Sequence, residues 1–201
     1  MSRPAAANGV GMGFHFSTVY VRDVHLAQVS DALVELMGET ERLPTRERGL
    51  EPTPEASASL KRVRSFAMMP EHDGWVAILE DGQSLDDGGV AEGLSELLQT
   101  EVLAFAYSDT DGMWSFTKYW EGQPLEAGGS DDENFDATAL EFIEAGGLPY
   151  FGVCYEEVAS AAGEDAAALA GSLTVLGDIT PRLPIGTQVL TFRRPGKRLP
   201  A

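Results

Sequence analysis

The chain has 201 residues, 43% of them apolar, which is enough for a packed core and excludes a wholly disordered protein despite a formal charge of −18. A lone Cys154 excludes an internal disulfide and points to a reducing compartment, and no run of about 18 apolar residues offers a membrane-spanning helix. The charge is uneven: residues 70–178 hold twenty-four acids against one base, Lys118, whereas residues 179–201 hold five bases and no acid.

Residues 1–13 contain Gly9, Gly11 and Gly13 ahead of a strand pattern rather than behind one, so they lack the context of a phosphate loop and read as a flexible leader. They also lack the apolar core of a signal peptide, and the expected location is the cytoplasm. Residues 14–21 are aromatic and β-branched and predict a strand. Asp23 stands as an N-cap for a helix with Leu26, Val29, Leu33, Leu36 and Met37 on one face, closed by Gly38. Residues 40–60, with Pro44, Pro52 and Pro54, predict a long loop.

Residues 62–69 and 75–79 predict two strands, joined into a hairpin by the turn chemistry of 70–74. Asp86 and Asp87 cap a helix carrying Val90, Leu94, Leu97 and Leu98, and the weakly polar stretch 102–107 predicts a central strand. The order to this point is β-α-β-β-α-β, which is that of the ferredoxin-like split βαβ motif and makes the fold class α+β. Residues 113–120 add a hairpin strand whose alternation sets Trp114, Phe116, Lys118 and Trp120 against Met113, Ser115, Thr117 and Tyr119. Residues 121–124 are a turn, and 126–132 a polar, glycine-rich loop.

The C-terminal part predicts an α/β extension. A helix runs from Asp136 to Gly146 and Gly147, residues 150–155 form a short strand or a buried turn around Cys154, and residues 161–173 form an alanine-rich helix. Residues 189–192 make a last strand at the sheet edge. The expected organisation is thus one α+β domain over residues 14–192, followed by a basic tail at 193–201.

The sequence shows no cofactor motif, metal motif or catalytic signature. His15, His25 and His72 have no metal-ligand spacing, and the acids after Asp109 miss the calcium-loop pattern, with Met113, Trp114 and Trp120 at positions five, six and twelve. The stretch that stands out is aromatic and ringed by acids: Asp109, Asp111, Trp114, Tyr119, Trp120 and Glu121. Trp and Tyr anchor interfaces while carboxylates pair with Arg or Lys, so these six residues are the candidate binding site for a basic protein partner. The acidic field disfavours nucleic acid and anionic membrane and steers a basic partner inward. Solubility and adaptation to high salt are equal readings of the same charge. The expected function is a non-enzymatic interaction module of inhibitor, immunity or adaptor type. The alternative is a small-molecule domain, metal-binding domain or enzyme that uses the Asp109 turn and the pair His72 and Asp73.

Overall fold

A computed structural model of the chain describes residues 15–45, 63–80, 89–108, 113–130, 135–150 and 183–195. In chain order the elements are β1 (His15–Arg22), α1 (Leu26–Glu39), β2 (Leu43–Thr45), β3 (Val63–Met68), β4 (Trp75–Glu80), α2 (Gly89–Leu98), β5 (Val102–Ser108), β6 (Met113–Trp120), β7 (Gln123–Ser130), α3 (Phe135–Gly146) and β8 (Gln188–Arg193). The eight strands form one antiparallel sheet in the order β2-β8-β3-β4-β1-β5-β6-β7. The fold class is therefore α+β, as composition and pattern implied, but the sheet is wider than expected. It grows on both sides of β3-β4-β1-β5, by β6 and β7 at one end and by β8 and β2 at the other.

Strand alternation splits the core into two layers. On one face, Val19 and Val21 of β1, Phe66 and Met68 of β3, and Val76 and Ile78 of β4 pack with Val29, Leu33 and Met37 of α1 and Val90 and Leu94 of α2. These helical positions follow the predicted 3.6-residue stripe, with Ala32 completing it on α1. The two helices touch, and a side chain at Gly93 would meet Leu36 Cδ1 at 2.5 Å, so the glycine gives Leu36 its seat. On the other face, Tyr20, Ala77, Leu79, Leu103, Phe105 and Trp114 pack with Ala139 and Ile143 of α3. β4 lies between the layers and is buried along nearly its whole length.

The two tight hairpins use the same turn. Asp73 (φ 50°) and Gly74 (φ 80°) join β3 to β4, and Glu121 (φ 49°) and Gly122 (φ 73°) join β6 to β7. Two successive positive φ angles match the right-handed strand twist, and the second residue is glycine in both. α3 ends at Gly147 (φ 63°), whose amide donates to Glu144 O while Leu148 N donates to Ile143 O, a glycine-terminated helix end as predicted.

Several expectations are corrected. Asp23 is not the cap of α1: it adopts φ 51° and its amide donates to Gly74 O at 2.7 Å, which ties β1 to the β3–β4 turn. The cap position falls to His25, whose amide donates to Gln28 Oε1 at 3.0 Å. Gly38 does not close α1; the left-handed residue is Glu41 (φ 58°), with Arg42 N donating to Met37 O. The segment expected as a loop from residue 40 begins instead with strand β2, paired to β8, so that β8 is interior and β2 forms the edge. Residues 126–130, read as a loop, belong to strand β7. Its glycines are what close packing demands there: a Cβ on Gly128 would lie 2.9 Å from the Phe116 ring, and one on Gly129 would collide with the Trp114 carbonyl. Cys154, the strand expected at 151–155, the helix at 161–173 and the leader at 1–13 lie outside the described residues.

Candidate functional site

The candidate stretch is β6, and the strand distributes its side chains over two faces and two ends. Trp114 points into the aromatic layer, where it is 8% exposed and its Nε1 donates to Thr138 Oγ1 of α3 at 3.0 Å. Its ring lies 5.8 Å from that of Phe105 and 5.1 Å from that of Phe142. Trp114 is thus a core residue that orients α3, in keeping with the alternation that pairs it with Phe116. Tyr119 is on the opposite face, half-buried against the α1/α2 layer, where it lines a hollow of about 200 Å³ with Ser17, Ser115 and Thr117.

Trp120 and Glu121 sit at the hairpin end of β6, and both are exposed, Trp120 by 42%. Asp109 and Asp111 lie outside the described residues. Met113 and Trp120 are separated by seven strand steps, about 24 Å. Of the four described residues, Trp114 lies in the core, and Tyr119, Trp120 and Glu121 are consecutive at the hairpin end of β6, with Tyr119 turned to the α1/α2 face.

What sequence reasoning missed is the company around Trp120. The hairpin tip is anchored on α2, with Gly122 N donating to Ser95 Oγ at 3.0 Å, while Ser95 Oγ donates to Glu92 O at 2.8 Å. Ser95 is fully buried. The anchor brings α2 close enough that a side chain at Gly122 would touch the Glu96 carboxylate at 3.4 Å. On β7 the register shifts opposite Lys118 and Tyr119, which leaves Leu125 as the extra residue, 65% exposed. Glu126 follows and holds Lys118 at 3.0 Å. β7 is the outer strand of the sheet, exposed along its length. The exposed apolar side chains of this hairpin are Trp120 and Leu125, and Glu121 and Glu126 are its exposed acids. The alternating pattern of β6 could have located Trp120, but nothing in 123–130 signals a strand.

His72 and Asp73, the alternative acid-base candidates, occupy the β3–β4 turn. His72 Nε2 lies 3.3 Å from Asp73 Oδ2, both side chains are more than half exposed, and the imidazole ring is 5.9 Å from the ring of Tyr150. Asp73 is there for turn geometry. Among the described residues no three His, Cys, Asp or Glu side chains converge into a metal-binding group, and no helix is long and apolar enough to cross a membrane. Comparison of the chain with protein-family models, with curated proteins and with solved structures found no match.

Proposed function

We propose that the protein is a non-enzymatic interaction module that docks a basic protein partner on the β6–β7 hairpin. The observation that carries this reading is an exposed Trp120 on a hairpin tip fixed to α2, with the exposed acids Glu121 and Glu126 on the same hairpin. A rigid aromatic anchor contributes large contact area at little conformational cost, and the surrounding acids select Arg or Lys at the rim. Leu125 extends the apolar contact along the outer edge of β7, whose backbone groups offer an extended segment of the partner a strand to pair with. Further exposed acids flank this end of the sheet, Glu92 on α2 and Glu141 and Glu144 on α3. An inhibitor, immunity or adaptor role fits such a surface.

The scaffold for this surface is, in our reading, a ferredoxin-like split βαβ core made of β1-α1-β3-β4-α2-β5, with β6 and β7 added as the docking hairpin. What supports this is the inner strand order β3-β4-β1-β5 with α1 and α2 side by side on one face.

The test is affinity capture from native lysate with intact protein as bait, eluted at low and then high salt, followed by mass spectrometry. One basic partner retained at low salt and released near 1 M, where the screening length falls to about 3 Å, is the expected outcome. Trp120→Ala weakens that partner by roughly tenfold or more, while stability moves by no more than about 0.5 kcal/mol, since the residue is a surface one. Partner affinity that survives both Trp120→Ala and Glu121→Lys overturns the surface assignment.

A further inference from the structure

Among the described residues, the aromatic face of the sheet is not fully covered. Beyond the C-terminal turn of α3, a hollow of about 390 Å³ opens over β1, β4, β5 and β6. Its floor is Trp75 and Leu103 on the sheet and Phe142 and Leu148 at the end of α3; its charged lining is Arg22 and Lys118, with Glu101 beside them. We propose that this hollow is a binding site for a small organic monocarboxylate with a flat, apolar body.

Three observations lead there. The first is shape and lining: the volume lies within the range of small-molecule pockets, and such pockets are mostly apolar with a few placed polar groups. Two rings, Trp75 and Phe142, supply flat walls for a flat ligand.

The second is the placement of cations. Lys118 is the single base among the twenty-four acids of residues 70–178, and it lines this hollow. Arg22 approaches from the other side, its guanidinium 5.3 Å from the centroid of the Trp75 ring, which holds it over the apolar floor. β5 lies between the strands that bear them, with Leu103 paired to both Tyr20 and Lys118. The two basic strands are therefore two inter-strand spacings, about 10 Å, apart, and a ligand lies between the cations.

The third is how these cations are held at present. Arg22 reaches the half-buried Glu101 at 3.4 Å and the exposed Asp23 at 3.7 Å, and Lys118 reaches the exposed Glu126 at 3.0 Å. Surface pairs of this kind contribute about 0–1 kcal/mol, so a ligand carboxylate displaces them at little cost. The same glutamates leave no excess positive charge. A phosphate dianion is repelled by Glu101 and Glu126, whereas a single carboxylate replaces one of them.

The experiment is calorimetric titration of the full chain with aryl monocarboxylates from phenylacetate to indole-3-acetate, each beside its amine counterpart, phenethylamine or tryptamine. The expected result is saturable carboxylate binding, weakened roughly tenfold by Lys118→Gln through loss of a charge-assisted contact. Ala145→Phe, an exposed position of α3 that faces the hollow, fills the space and abolishes binding while Trp120-dependent partner capture persists. Amines that bind as well as the acids overturn the proposal. So does affinity unchanged in Lys118→Gln, or the absence of saturable binding by every carboxylate in the series.

Discussion

The two faces of the sheet are built from different chemistry. The α1/α2 layer is mostly aliphatic, and two touching helices close it: Leu33 and Leu94 are fully buried, as are Val29 and Ala91. The opposite layer is aromatic, with Tyr20, Trp75, Phe105, Tyr107 and Trp114 on the sheet and Phe142 stacked 4.3 Å from Phe116. Among the described residues α3 is the helix that covers it, with Leu148, Tyr150 and Leu183 packed beside it. A helix is about 10 Å wide and a sheet of this size spans more than 30 Å, so one helix cannot close the face. Large flat rings bridge the uneven separation, and what they do not fill remains as the hollow at the end of α3. The larger hollow, about 390 Å³ against about 200 Å³, is thus on the face with the single helix.

The largest effect that tests this contrast comes from paired truncations. Leu94→Ala removes a fully buried side chain from a closed layer, and the expected loss is about 3–4 kcal/mol in urea unfolding. Phe142→Ala removes a larger but only partly buried side chain beside the hollow at the end of α3, and costs about 2 kcal/mol. A loss on Phe142→Ala equal to or larger than that on Leu94→Ala breaks the comparison.

A smaller effect sits inside the aliphatic layer. Arg64 Nε and Nη2 both donate to Glu80 Oε1, at 2.7 and 2.6 Å, and the side chains are only 12% and 10% exposed. The pair lies on the α1/α2 face, as β3 carries Arg64 in step with Phe66, whose ring it overlies at 5.3 Å. Replacing one partner leaves a charge in low dielectric, so Arg64→Met costs about 3 kcal/mol, and the double change Arg64→Met with Glu80→Leu recovers most of it. A double-mutant cycle in urea measures the coupling, and a double variant no more stable than Arg64→Met refutes the account.

The same contrast governs what could be read from sequence. The aliphatic layer was legible because α1 and α2 repeat their apolar residues at 3.6 spacing and the aspartate-glycine turn at 73–74 fixes the β3–β4 hairpin. The alternation of β6 likewise separated Trp114 and Phe116 from Tyr119. The failures came where tertiary contacts outweigh local pattern. β7 has no β-branched residue and two consecutive glycines, and it is a strand because Phe116 and Trp114 leave no room there for a side chain. β2 contains Pro44 and exists by pairing with β8, which is 143 or more residues away in the chain. The candidate site suffered in the same way: sequence proximity grouped Trp114 with Trp120, but six strand steps, about 20 Å, separate them along β6, and only Trp114 is covered by α3. Ser95 and Glu96, which meet the hairpin at Gly122, lie more than twenty residues upstream and become its neighbours through the hairpin anchor.

The smallest effect is a gain, and it belongs to the aromatic face. Thr18 is fully buried in the middle of β1, opposite Leu79 on one side and Phe105 on the other, both members of the aromatic layer. Among the described residues its Oγ1 has no hydrogen-bond partner. A hydroxyl in that position has lost its hydration without replacement, which costs about 1–3 kcal/mol, and valine matches its shape while favouring the strand. Thr18→Val is expected to stabilise by about 1 kcal/mol, which raises Tm by roughly 2–4 °C in a chain of this size. A fall of similar size means that the hydroxyl is satisfied in solution, and that water reaches farther into the aromatic layer than the hollow at α3.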